Sequence, residues 1–271
     1  MKKNIKFTFL GTGTAMGIPE IGCNCEVCRS DDAKDNRLRS SLWVEYGDLS
    51  ILIDTSPDLR YQCLRVQIPQ VDSVFITHLH ADHIFGLDDL RRYNILHRKS
   101  IDLYLPYDME ERFRQIYDYT LKPAPKGITV PNLNLDLVDR NPVFFGDLKV
   151  TPLPIMHGAD EIRGYLFDVP GFRLAYMTDC KEIPEETAEL VKDVDVMVLG
   201  TIWRNYKNHI KHFDVDEAIE AAQKLGAKKL YLTHFSHFIG KHKDFEKTLN
   251  EEFNDWVVPA YDGMRISNLE C

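Results

Sequence analysis

Short apolar runs separated by polar turns recur along most of this chain, and amphipathic stretches of helical period lie between them. Ile5–Leu10, Ser41–Tyr46 and Ile51–Ile53 read as strands. A helix is predicted from about Pro57 to Val66, with Ser56 as N-cap and proline in its first turn. Val74–Ile76 is the next strand, and a helix should run from about Ile84 into Leu96. Ile101–Leu105 is strand-like and Asp108–Tyr117 helical. Lys122-Pro123-Ala124-Pro125-Lys126-Gly127 is a loop by its breakers, and Lys122–Pro131 is left open as a lid or an interface loop.

The second half repeats this alternation. Leu133–Val138, Leu148–Ile155, Gly164–Asp168 and Phe172–Met177 read as strands, with Pro170-Gly171 a hairpin turn. Helices at about Pro184–Val191, Val215–Lys224 and Lys243–Phe253 separate strands at Val194–Leu199 and Lys229–Leu232. Two comparable halves of this kind predict two packed sheets with helices outside. With 271 residues, 44% of them hydrophobic, and no sequence self-similarity between the halves, one continuous domain over residues 1–271 is expected.

Charge narrows the partners. Thirty-three basic against 42 acidic side chains give a formal net charge of −9, which argues against a general nucleic-acid or anionic-membrane surface. No run is apolar and long enough to span a bilayer, and Lys6 and Thr8 interrupt the N-terminal apolar stretch. Ile5–Leu10 is therefore expected to be a strand rather than an export signal, and the protein to be cytoplasmic.

The candidate chemistry sits where strands end. Thr77-His78-Leu79-His80-Ala81-Asp82-His83 places four metal-ligand types directly after the run Val74–Ile76. His78 and His80 share a face by strand alternation, while Asp82 and His83 follow as the chain turns. Other strands lead into His157, Asp179 and His234 in the same way. Taken singly, Asp179 would serve as a cap and each histidine as a turn residue. Together they suggest two adjacent metal ions, an arrangement that activates water and clamps a leaving group.

This series resembles the metallo-β-lactamase superfamily, with Gly11-Thr12-Gly13 after the first strand and Asp54 after an apolar one. The resemblance covers nearly the whole chain. It implies an αββα four-layer sandwich in which His78, His80 and His157 bind one metal, Asp82, His83 and His234 bind the other, and Asp179 bridges them. Zn²⁺ and Mn²⁺ both suit such N/O ligands. Two divalent cations, two carboxylates and a bridging hydroxide leave a charge of roughly +1, which would attract a small anionic phosphodiester.

A second cluster, Cys23-Asn24-Cys25-Glu26-Val27-Cys28, offers three thiols in a loop at about 20–30. His237, three residues past His234, would complete a closed tetrahedral site for one structural zinc; the alternative is three free thiols. Cys63, Cys180 and Cys271 read as ordinary thiols. The Cys-x-Cys-x-x-Cys insert with that histidine resembles the PhnP phosphodiesterases, which implies a cyclic or otherwise small phosphodiester substrate and allows a homodimer. By the same resemblance, a histidine near His212 protonates the leaving oxygen; His209 competes for the role, and either also reads as a solvated loop residue. Asp82 and His212 are thus the candidate catalytic side chains. The segment Leu87-Asp88-Asp89-Leu90-Arg91 departs from PhnP, and Arg91 and Arg92 read as solvated helix residues rather than phosphate ligands. The competing functions are a tRNase Z-like RNA-processing nuclease and a non-hydrolytic carrier resembling the pyrroloquinoline-quinone-associated member of the superfamily.

Overall fold

The computed structural model describes residues 3–122, 126–205 and 209–269, so part of the expected loop at Lys122–Gly127 and all of Cys271 fall outside them. Among the described residues, two seven-stranded sheets pack face to face. The first is built from β1 (Ile5–Gly11), β2 (Ser41–Tyr46), β3 (Leu49–Ile53), β4 (Ser73–Phe75), β5 (Ile101–Pro106) and β6 (Leu133–Val138). The second holds β7 (Val143–Phe145), β8 (Leu148–His157), β9 (Asp160–Val169), β10 (Phe172–Met177), β11 (Val196–Gly200), β12 (Leu230–Thr233) and β13 (Val257–Pro259). A last strand, β14 (Arg265–Ser267), returns to pair antiparallel with β1.

Pairing changes sense in each sheet. β1 to β3 are antiparallel and β3 to β6 parallel. β7 to β10 are antiparallel and β10 to β13 parallel. Parallel neighbours need crossovers, and helices supply them. Helices α1 (Leu59–Val66), α2 (Ala81–Ile84), α3 (Arg91–His97) and α4 (Glu110–Tyr117) follow strands of the first sheet; α5 (Glu185–Val191), α6 (Val215–Lys224) and α7 (His242–Phe253) follow strands of the second.

Strand alternation divides the core into layers. Ile5, Phe7, Phe9, Val44 and Ile53 point between the sheets, where they meet Val150, Phe167, Leu174 and Val198. The opposite faces carry Leu52, Val74 and Leu103 against Leu59 and Phe113, and Met197, Leu199 and Leu232 against Ala218, Ile219 and Leu249. Helices thus cover both outer faces, which is the αββα sandwich.

Two expected helices differ in detail. The helix expected from Ile84 to Leu96 is interrupted: α2 ends, a tight turn covers Leu87–Leu90, and α3 begins at Arg91. Gly86 is the cause. Its N–H donates to the Thr55 carbonyl at 2.8 Å, and a Cβ there would lie 1.9 Å from the Ser56 carbonyl oxygen. The backbone is held against the Asp54 loop rather than continuing a helix. Likewise α1 starts at Leu59, because the Ser56 hydroxyl accepts the Asp58 N–H at 3.2 Å in a preceding turn. Among the described residues, no helix is long and apolar enough to cross a membrane.

Candidate metal centre

The ends of β3, β4, β8, β10 and β12 meet along one rim, which brings the histidines and aspartates of four separate segments together. Ligand atoms of His78, His80 and His157 lie within 4.8 Å of one another, as do those of Asp82, His83, Asp179 and His234. Asp179 also groups with His157 and His212 on the same criterion, so its carboxylate lies between the two sets. Oδ1 of Asp179 is 3.4 Å from His83 Nε2 and 3.3 Å from His234 Nε2.

The backbone is strained where these side chains emerge. Asp54, Asp179 and His234 have φ of 61°, 54° and 64°, left-handed values that cost a non-glycine residue of order 1–3 kcal/mol each. Close packing holds them there: a Cβ on Gly200 would come within 2.7 Å of the Asp179 N–H nitrogen. Strand ends set the direction of His78, His157, Asp179 and His234, and α2 sets that of Asp82 and His83.

A second ring of contacts fixes the imidazoles. Asp54 is fully buried and takes three bonds, from the Thr77 N–H at 2.8 Å, the Thr77 hydroxyl at 2.8 Å and His83 Nδ1 at 2.7 Å. His83 therefore carries its proton on Nδ1 and turns Nε2 toward Asp82 and Asp179. His157 Nδ1 sits 2.9 Å from the Asp179 carbonyl and 3.1 Å from that of Lys211, which leaves Nε2 for the rim. His83 Nε2 and both ring nitrogens of His234 are buried with no hydrogen-bond partner among the described residues. Orphaned donors of this kind, aimed at carboxylates, fit divalent cations.

Charge tells the same story. Burial opposes a proton on His83, yet the carboxylates of Asp179, Asp54 and Asp82 outweigh it and raise its pKa well above the usual imidazole range. Burial likewise opposes ionisation of Asp179, and the His234 and His83 imidazoles still hold it well below the usual carboxylate range. His78 goes the other way, its proton disfavoured by burial and by His83. Carboxylates that hold a proton on an imidazole will also hold a cation in its place.

The cysteine cluster closes on its expected partner. Sγ atoms of Cys23, Cys25 and Cys28 lie 3.3, 3.4 and 3.4 Å from His237 Nδ1. One ring nitrogen cannot satisfy three thiols by hydrogen bonding. A tetrahedral zinc with ordinary Zn–S and Zn–N bonds would set that edge at about 3.5 Å, so the donors already have the shape of a Cys3His zinc site. The Cys28 N–H, 3.4 Å from Cys25 Sγ, helps bring the Cys25 thiol down to about 6. Burial instead raises Cys28 to about 11.

His212 lies inside the rim. Its ring stacks on His234 at 5.0 Å and meets His157 edge-on at 4.6 Å. The capping box of Asp214 and Glu217 at the start of α6 anchors the loop behind it. Burial and the adjacent His234 push His212 down to about 2, which disfavours a second proton on this ring. His209 stands farther out, edge-on to Trp203 at 5.5 Å, and its Nδ1 accepts the His212 backbone N–H at 3.2 Å. Arg91 pairs with Asp88 and donates to the Thr129 carbonyl at 3.2 Å; Arg92 lines a separate groove with Leu59 and Cys63. Neither arginine reaches the rim. The sequence reading missed Glu20, Trp203 and Phe238, which line the same cavity as Asp82, Asp179 and His212. A strand-end signal was available for Trp203, three residues past β11 as His78 is three past β4.

A family model described as a beta-lactamase superfamily domain matches residues 50–235. An octanoyltransferase of Porphyromonas gingivalis is 35% identical over 257 residues, which cover 94% of this chain and 50% of that protein, so the chain spans half its length. A ribonuclease Z of Acaryochloris marina is 28% identical over 86% of each chain. Among solved structures, a diphosphatase of the PhnP family superposes with a TM-score of 0.86 at 33% identity, covering 98% of each chain.

Proposed function

The chain belongs to the β-lactamase superfamily, on its PhnP-like side, and from that premise we propose that it is a metal-dependent hydrolase of small phosphodiesters. Asp179 carries the reading, because its carboxylate groups with Asp82, His83 and His234 and also with His157 of the other set. His78, His80 and His157 would hold one cation and Asp82, His83 and His234 the other, with Asp179 shared between them. When bound, such a pair supplies acidified water and neutralises charge building on a phosphoryl group.

The chain's own residues do the rest. Asp54 and Thr77 hold the His83 ring in one tautomer, and the carbonyls of Asp179 and Lys211 do the same for His157. His212, packed against His157 and His234, donates an N–H to the departing oxygen. The Cys3His cluster ties the 20–30 loop to the segment that carries His234, and so holds one wall of the cavity. We place its zinc in a structural role. The relatives favour phosphate chemistry through the PhnP diphosphatase and the ribonuclease Z.

A substrate panel tests this. Metal-loaded protein should hydrolyse bis(p-nitrophenyl) phosphate, and a chelator should abolish turnover. Cleavage of a precursor transfer RNA in preference to the small diester would replace the reading with an RNA-processing one. Hydrolysis of an octanoyl thioester with no action on the diester would replace it with acyl chemistry related to the Porphyromonas protein.

A further inference from the structure

The rim opens on two sides. Beside His80 and His157 lies a cavity of about 510 Å³ whose other walls include Asp108, Arg112 and Glu161. Across the same two histidines lies a second of about 400 Å³, and its outer wall is apolar and aromatic. Phe238 is 73% exposed and Met16 58% exposed, and both line the cavity that holds the metal-ligand candidates. Trp203 meets Phe238 at 5.8 Å between ring centroids and 81° between planes. A planar group laid on one of these rings meets the other at a right angle, the two favourable aromatic geometries at once.

Glu20 decides what kind of ring fits. It lines the same cavity, and its carboxylate is held by the cysteine cluster: its backbone N–H donates to Cys28 Sγ at 3.4 Å and Oε1 is 3.8 Å from His237 Nε2. A carboxylate offers only acceptors. A fatty acyl chain would cover the aromatic wall but give the Glu20 carboxylate no donor beyond His237. An anionic group placed there would be repelled. A nucleobase supplies a π-face for the wall and N–H donors for the carboxylate, and guanine presents two such donors side by side.

We infer that Met16, Trp203, Phe238 and Glu20 form a nucleobase subsite, so that one arm of the diester is a nucleoside, with guanosine preferred. This rests on the phosphodiesterase reading and narrows it. The 510 Å³ cavity, on the other side of His80 and His157, takes the second arm. A substrate of this kind has two arms diverging from the phosphate.

Binding to metal-loaded protein tests the subsite without turnover. GMP and ribose 5-phosphate should both bind by calorimetry, GMP tighter by about tenfold or more, the usual effect of one base on an aromatic platform. Phe238→Ala and Trp203→Ala should each move that ratio toward one, and Glu20→Gln should narrow the preference for GMP over UMP. Phe238 is exposed, so its variant will fold. Equal binding of GMP and ribose 5-phosphate, or a ratio unmoved by Phe238→Ala, overturns the subsite while the phosphate site stands. If neither phosphate binds, the phosphodiesterase reading fails, and guanosine against ribose then decides the subsite alone: tighter guanosine keeps it, equal binding removes it. Tighter binding of octanoate than of guanosine assigns the wall to an acyl chain instead.

Discussion

Two constellations of metal-ligand type stand side by side on this molecule and are built in opposite ways. The His–Asp rim draws its ligand side chains from four segments at strand ends, buries most of them, and leaves His83 Nε2 and both ring nitrogens of His234 unpaired. The Cys3His cluster draws three of four donors from one short loop, leaves them half-buried, and packs them around a single ring nitrogen. Strand ends give direction and keep a site open; a loop closes on its ion and is itself ordered by it. The difference predicts that damage to the rim removes chemistry and spares the fold, whereas damage to the cluster loosens the fold first.

The comparison breaks hardest at Asp179. Asp179→Ala should lower turnover of bis(p-nitrophenyl) phosphate on the order of a thousandfold or more, about 4 kcal/mol of barrier, with circular dichroism unchanged. An equal loss of stability would mean that the rim, too, is a structural device. His212→Ala should follow, with a loss of about a hundredfold in kcat at little change in KM. A smaller loss for an activated p-nitrophenolate than for a poor alkoxide leaving group would show that the N–H serves departure.

Asp54→Asn sharpens the contrast, since the carboxamide keeps the shape but not the charge behind His83. Metal affinity at the rim should fall about tenfold to a hundredfold, read by metal titration, while the Cys3His zinc is retained. Cys25→Ser should do the reverse. It should release one zinc per chain and lower Tm by roughly 5–10 °C, as expected for a loss of about 2–3 kcal/mol in a chain of this size. Unchanged Tm and zinc content would leave the cluster as three free thiols.

The smallest effect is a pH difference. Cys25 is brought down to about 6 with help from the Cys28 amide, so it is a thiolate at neutral pH and takes up a proton as the pH falls through that value. Protons compete with metal at a thiolate. Zinc affinity of the Cys3His cluster should therefore weaken as the pH falls, followed with a zinc indicator, and an affinity independent of pH would contradict thiolate ligation.

How much of this was legible in the sequence depended on where each signal lay. The succession of strands and helices pointed to the layers, strand ends pointed to His78, His80, His157, Asp179 and His234, and the crowding of Cys23, Cys25 and Cys28 in one loop pointed to the second cluster. These signals were readable because a ligand's type and its place along the chain are both local. Three kinds of feature were not local. The short edge strands Val143–Phe145, Val257–Pro259 and Arg265–Ser267 are too brief to show a period, and they exist because a neighbouring strand offers free hydrogen-bonding groups. The break in the helix after Ile84 comes from Gly86 meeting the Ser56 carbonyl, a contact between segments thirty residues apart in the chain. The aromatic wall joins Met16, Trp203 and Phe238 from three distant segments, none remarkable by itself. His212 shows a different limit: its position was readable, but the burial that disfavours a second proton on it was not.

One measurement bears most directly on the division between an open catalytic rim and a closed structural cluster. Wild type and Asp179→Ala, each assayed for metal content, are compared for turnover of bis(p-nitrophenyl) phosphate. The account predicts robust turnover by wild type, near-complete loss in the variant, and the Cys3His zinc present in both. Wild-type protein that holds its rim metals without cleaving the diester, or a variant that cleaves it equally well, would contradict it.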